Sequence, residues 1–147
     1  MLRNIDPLLS PDLLRILAAM GHGDEIVIAD ANFPGESCAQ RLVRLDGIDA
    51  VRTLRAVLSI MPLDSFVEDR AVSMAVVDDP EAIPPVVAMF QQAIDEIADH
   101  PAAIQPIERF SFYDRSRAAY AIVQTGETRL YGNIILKKGV IFPPTAH

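Results

Sequence analysis

The residues best suited to chemistry stand at the two ends of one short apolar run. Ile26-Val27-Ile28-Ala29 is preceded by Gly21-His22-Gly23-Asp24-Glu25 and followed by Asp30-Ala31-Asn32-Phe33-Pro34-Gly35. A run of that length, bounded by glycines and a proline, reads as a buried strand, and functional polar groups collect at strand ends in α/β folds. Histidine is the one side chain whose unperturbed pKa lets it take and return a proton near neutrality. Flanking glycines would let a ligand approach the ring closely. His22 is therefore a candidate acid–base group, with Asp24 beside it and Asp30 at the far end of the run. The same residues fit a plainer reading, a helix-to-strand turn with a solvated histidine. A metal held by His22, Asp24 and Asp30 would lack a ligand pair at any familiar spacing.

Other chemistries find no support. No G-x-x-x-x-G-K-[ST] motif occurs, and Gly21-x-Gly23 is not followed by a third glycine at the dinucleotide spacing. Cys38 is the only cysteine, has no evident basic partner and reads as a buried, inert thiol in a reducing, cytoplasmic setting. A net charge of −7 argues against a nucleic-acid partner. No stretch approaches the ~20 apolar residues that span a bilayer, and the first ten residues carry no signal-peptide core. Half of the chain is hydrophobic and the mean hydropathy is +0.22, an excess of apolar surface that points to subunit interfaces.

The elements that must position these residues follow from caps and periodicity. Ser10-Pro11-Asp12 opens a helix whose apolar face is Leu13, Leu14, Ile16, Leu17 and Met20, with Gly21 ending it. The strand Glu25–Ala29 comes next, then a loop, a second strand over Gln40–Leu45 and a turn at Asp46-Gly47. Asp49 caps a helix over 50–60, and Ala71–Val77 reads as another central strand. Residues 85–98 are helical, with His100 as a basic residue near the helix end. A short helix is expected over Arg109–Arg117, a strand over Ala119–Val123, a turn at Thr125-Gly126-Glu127 and a last strand over Ile134–Lys138. The 147 residues read as one domain, a three-layer α/β/α fold with a mostly parallel or mixed central sheet.

A set of segments carries a resemblance. Leu9-Ser10-Pro11-x-Leu13-Leu14 and Met20-Gly21-His22-Gly23-Asp24-Glu25 stand at the front. Ile107-Glu108-Arg109-Phe110-Ser111-Phe112-Tyr113, Ala121-Ile122-Val123-Gln124-Thr125-Gly126-Glu127, Tyr131-Gly132-Asn133 and Leu136-Lys137-Lys138-Gly139-Val140 follow. Together they resemble the L-fucose mutarotase and D-ribose pyranase family, nearer its fucose branch. Residues 64–104 match it least and receive no role. The resemblance implies that His22 transfers the proton and that Asp30, Arg109 and the Tyr131-Gly132-Asn133 segment hold a monosaccharide. Asp24 would support the histidine. Tyr120 stands where an aromatic or similar residue is expected, and its hydroxyl either touches the ligand or is incidental.

The implied reaction is cofactor-free: α and β anomers of L-fucose or a related sugar interconvert by acid–base ring opening and closure. Such chemistry needs a group titrating near working pH, an acceptor, a donor fork and an amide. Pyranose–furanose isomerisation of the D-ribose pyranase type, or sugar binding without catalysis, would use much the same residues. Phe33 reads as core. One distance bears on assembly. Asp24 and Asp30 lie six residues apart, about 20 Å in extended chain. Unless the flanking loops fold back hard, the simplest arrangement puts His22 of one subunit against Asp30, Arg109 and the Tyr131-Gly132-Asn133 segment of its neighbour, and the resemblance implies a ring-like decamer of two stacked pentamers.

Overall fold

Ser10 opens the first helix. In the computed structural model, which describes residues 1–145, its Oγ accepts the N–H of Leu13 at 3.2 Å. Pro11 sits in the first turn of α1 (Pro11–Ala19), and Leu13, Ile16 and Leu17 form the buried stripe. His147 lies outside the described residues. After α1 come β1 (Glu25–Ala29), the single turn α2 (Gly35–Cys38) and β2 (Leu42–Leu45). Asp49 caps α3 (Ala50–Leu58) by accepting the N–H of Arg52 at 2.7 Å. The chain continues through β3 (Ala71–Met74), α4 (Pro85–Ile97), β4 (Gln105–Ile107), α5 (Arg109–Ala118), β5 (Ala121–Thr125) and β6 (Ile134–Lys137).

The six strands form one mixed sheet in the order β2-β5-β1-β6-β3-β4. β2, β5 and β1 run parallel to each other, as do β3 and β4; β6 runs against both groups and joins them. Alternate residues of each strand feed opposite layers, as the pleat requires. Ile26 and Ile28 of β1 pack with α1, α3 and α4 through Leu13, Leu54, Phe90 and Ile94. Val27 and Ala29 face the other way, against Phe33, Cys38 and Phe112 of the α2–α5 layer. The expected three-layer α/β/α fold is the observed one, and Phe33 and Cys38 lie in its core.

Several boundaries differ from expectation, each for a local reason. β3 stops at Met74, because the chain then turns through Val76–Asp79 with Asp78 at φ 64°. β5 begins two residues later and runs to Thr125: Ala119 and Tyr120 lie between α5 and the strand, whereas Gln124 and Thr125 are buried within it. β2 lacks Gln40 and Arg41, and α3 ends at Leu58. β4 and α2, short and rich in Pro or Gly, have no counterpart in the sequence reading. Among the described residues no helix is long and apolar enough to cross a membrane.

Candidate active site

Asp30 is the first residue past β1, where the chain must turn. Gln124 of β5 fixes that turn by donating through Nε2 to the carbonyls of Asp30 at 2.7 Å and Phe33 at 3.0 Å. Thr125 Oγ1 donates to the Ala29 carbonyl at 2.7 Å. The Asp30 carboxylate is buried and accepts the N–H of Asn32 at 3.0 Å and Nδ2 of Asn133 at 3.0 Å. Burial pushes its carboxyl above the usual carboxylate range, and the nearby Glu127 charge adds to this against the hydrogen bonds from Asn32, Asn133 and Phe33.

Asp30 opens onto a shallow cavity of about 220 Å³, shared with Arg109, Tyr113, Leu130, Tyr131 and Asn133. Glu108 caps α5 by accepting the N–H of Ser111 at 3.0 Å, which makes Arg109 the first helical residue. Among the described residues the buried Nε of Arg109 has no hydrogen-bond partner. The Arg109 side chain lines the cavity, with its guanidinium carbon 4.6 Å over the Phe110 ring. Tyr131 has φ 63°, uncommon for a bulky side chain, and its hydroxyl accepts the N–H of Val77 at 3.1 Å. Gly132 follows where a Cβ would stand 2.7 Å from Glu127 Cγ and 3.1 Å from the Arg129 carbonyl. This end of the strands therefore offers a carboxylate, a guanidinium, an amide and a phenol around one small cavity, a set suited to a polyol. A larger cleft of about 400 Å³ beside α4, lined by Val87, Ile104 and Pro106, is mostly apolar and holds none of these groups.

His22 is not there. It lies at the opposite end of the strands, before β1, in a turn where Gly23 has φ 86° and donates to the Lys138 carbonyl at 2.9 Å. β1 alone separates the two ends by about 17 Å. The ring is 45% exposed, its Nε2 lies 3.1 Å from Asp64 Oδ1, and the Phe66 ring packs on it at 5.2 Å. The Asp24 carboxylate accepts the N–H of Gly21 at 2.8 Å and so shapes the turn. Tyr120 sits at this end too, partly buried against the core with the Arg41 guanidinium 3.9 Å above its ring. Within one subunit His22, Asp24 and Asp30 do not converge, and among the described residues no cluster of three or more metal-ligating side chains occurs.

Two groups near these positions receive no site role in the sequence reading. Glu127 is buried, accepts from Arg129 at 2.8 and 3.0 Å, and its carbonyl accepts the N–H of Ala31. Asp64, 42 residues from His22, carries no local signal; only the tertiary fold brings it to the ring.

With this geometry in place, comparison with known proteins is specific. Residues 3–141 match the RbsD / FucU transport protein family. An L-fucose mutarotase of Actinobacillus pleuropneumoniae serotype 5b (strain L20) is 42% identical over 140 residues, 95% of this chain and 97% of that protein. The crystal structure of a fucose mutarotase in complex with L-fucose, from Streptococcus pneumoniae, superposes with a TM-score of 0.89 at 48% identity, covering 96% of this chain and 100% of that one. The Bacillus subtilis RbsD structure complexed with D-ribose shares the fold, with a TM-score of 0.73 at 24% identity over 97% of this chain and 100% of that one.

Proposed function

The chain belongs to the RbsD / FucU transport protein family, and we propose that it is a cofactor-free mutarotase for L-fucose or a closely related sugar. The relatives named as fucose mutarotases, at 42% and 48% identity, support the substrate class. The observation that carries catalysis rather than binding is His22. A binder needs no half-exposed, hydrogen-bonded imidazole at a glycine turn, whereas ring opening needs a group that both takes and gives a proton.

In this reading the C1–O5 bond of the pyranose breaks as a proton leaves the anomeric hydroxyl and one arrives at the ring oxygen. The open aldehyde turns about C1–C2 and recloses with the transfers reversed. His22 serves as the proton-transferring group. Asp30, Arg109 and the Tyr131-Gly132-Asn133 turn hold the sugar hydroxyls. The two ends belong to one site only when two subunits meet, so His22 of one faces Asp30 and Arg109 of its neighbour. Exposed Phe66 and Phe142 at the His22 end and Phe110 and Leu130 at the Asp30 end are the apolar surfaces such a contact would cover. A head-to-tail contact whose rotation closes gives a ring, and the assembly in this reading is a decamer of two stacked pentamers. The chain then acts as one mutarotase domain over 1–147, in the cytoplasm.

The test is saturation-transfer NMR between the α- and β-anomer signals of L-fucose. Exchange above the uncatalysed rate, falling by about 10²–10⁴-fold in His22→Ala while sugar binding persists, is expected. Binding without added exchange would make the protein a carrier. Exchange confined to pyranose and furanose forms of D-ribose would make it a pyranase.

A further inference from the structure

We propose that Asp64 is the positioning residue of His22: it holds the ring with Nε2 as the donor and leaves Nδ1 as the nitrogen that exchanges a proton with the sugar. The proposal rests on the mutarotase reading and assigns the reacting atom within it. The Asp64 side chain is only 3% exposed, although the histidine it touches is 45% exposed. Its backbone is fixed from two sides: its N–H donates to the Lys137 carbonyl at 3.0 Å, and its carbonyl accepts Arg70 Nη1 at 2.9 Å. At Gly139 a Cβ would fall 2.7 Å from Asp64 Cα, so the last turn of chain after β6 lies directly against it.

That rigidity is aimed at one oxygen. Oδ1 lies 3.1 Å from His22 Nε2 and also accepts the N–H of Phe66 at 3.1 Å. An ionised carboxylate is only an acceptor, so the nitrogen facing it must carry the hydrogen; neutral imidazole has a single N–H, which leaves Nδ1 as its free base. Burial pushes the Asp64 carboxyl up, but the bonds from Phe66, His22 and Ser65 outweigh it and hold the group below the usual range. The same oxygen sets the backbone of Phe66, whose ring covers one side of the imidazole. When Nδ1 takes the anomeric proton, the imidazolium forms beside a fixed negative charge, as in hydrolase triads. The remaining charged groups nearby are otherwise engaged. Asp24 accepts from Gly21, Lys138 Nζ donates to the Leu17 and Met20 carbonyls, and Arg70 holds the Asp64 carbonyl. His100 is reached only through the Phe142 ring, 6.2 Å from it.

Two measurements test this. Nitrogen-15 NMR of His22 in the wild-type protein at neutral pH should show Nε2 protonated and Nδ1 bare; the opposite tautomer would overturn the proposal whatever the activity. Asp64→Asn keeps an oxygen for the Phe66 N–H, removes the charge and turns the other carboxylate oxygen into an amide donor. It should lower the maximal anomer-exchange rate about 10–100-fold with KM within about twofold, and weaken the preference for the Nε2-protonated tautomer of His22. An Asp64→Asn enzyme with unchanged rate and an unchanged His22 tautomer, alongside an inactive His22→Ala, would sink this assignment and leave the mutarotase reading standing. Absence of exchange in the wild type would sink that reading, while the tautomer measurement would still judge the Asp64–His22 pair.

Discussion

Asn133 and Asp30, 103 residues apart, hydrogen-bond each other in both directions: Asn133 Oδ1 accepts the Asp30 N–H at 2.7 Å, and its Nδ2 donates to Asp30 Oδ2 at 3.0 Å. The start of β6 thus sets the rotamer of a carboxylate placed at the end of β1. Asn133 serves the candidate sugar site by orienting Asp30, whatever it does for a ligand. Asn133→Ala leaves the buried N–H and Oδ2 of Asp30 without these partners, which should destabilise the fold by about 1–3 kcal/mol. Sugar affinity should fall about tenfold or more, because the carboxylate loses its fixed direction. Urea denaturation and calorimetric titration with L-fucose check both; unchanged affinity would remove Asn133 from the site.

Two glycines at opposite ends of the strands should behave differently. A Cβ at Gly132 would collide with Glu127 Cγ and the Arg129 carbonyl, at 2.7 and 3.1 Å. Gly132→Ala should therefore cost about 1–3 kcal/mol as an overpacking change and displace the Tyr131–Asn133 turn. Gly23 has φ 86° but open space around it, so Gly23→Ala should cost about 1 kcal/mol through backbone strain alone. Melting curves of the two variants rank them, and equal losses would contradict the crowding seen at Gly132.

Much of this was legible in the chain. The apolar runs of β1 and β5 announce a sheet covered on both faces, and the Ser10 and Asp49 caps fix where α1 and α3 start. The remainder depends on tertiary partners. Gln124 and Thr125 read as the approach to a turn, yet they are buried strand residues because they hold the Asp30 loop. Gln105-Pro106-Ile107 receives no element in the sequence reading, because a proline counts against a strand and is tolerated only at a sheet edge, where β4 lies. His22 and Asp30 were visible from glycines, charge and strand ends. Asp64 was not, because nothing within Leu63–Phe66 signals a partner 42 residues away.

Arg129 stabilises the Asp30 loop indirectly. It holds the buried Glu127 carboxylate, and its hydrogen bond is the main cause that keeps Glu127 below the usual carboxylate range. A lowered carboxylate contributes stability above its unfolded value of 4.5 and loses it as pH falls through the folded value. Arg129→Ala should thus cost about 2–3 kcal/mol at pH 7, less than a fully buried pair because Arg129 is 40% exposed. The difference from wild type should shrink as pH falls, because burial without Arg129 raises the Glu127 carboxyl in the variant and lets it protonate first. Denaturation midpoints at pH 7 and near pH 3.5 give the comparison; a penalty that grows in acid would show that Arg129 acts through something other than this ion pair.

The final expectation concerns the separation of the two ends. β1 places His22 and Asp30 at opposite ends of a five-residue strand, about 17 Å of extended backbone. The same strand is buried between two helical layers, so it cannot fold to bring them together. A monosaccharide touched by both must then lie between two subunits. His22→Ala and Arg109→Ala each break one half of such a site, and Arg109 is a safe choice because its Nε makes no hydrogen bond that the fold would lose. Each variant alone should be inactive or strongly impaired. After dissociation and reassembly at equal amounts, each head-to-tail contact draws its two halves at random, so roughly a quarter should carry both intact. Anomer exchange should recover to about that fraction of wild type, provided mass spectrometry confirms mixed oligomers. Verified mixed oligomers with no recovery would mean that each subunit holds its own complete site.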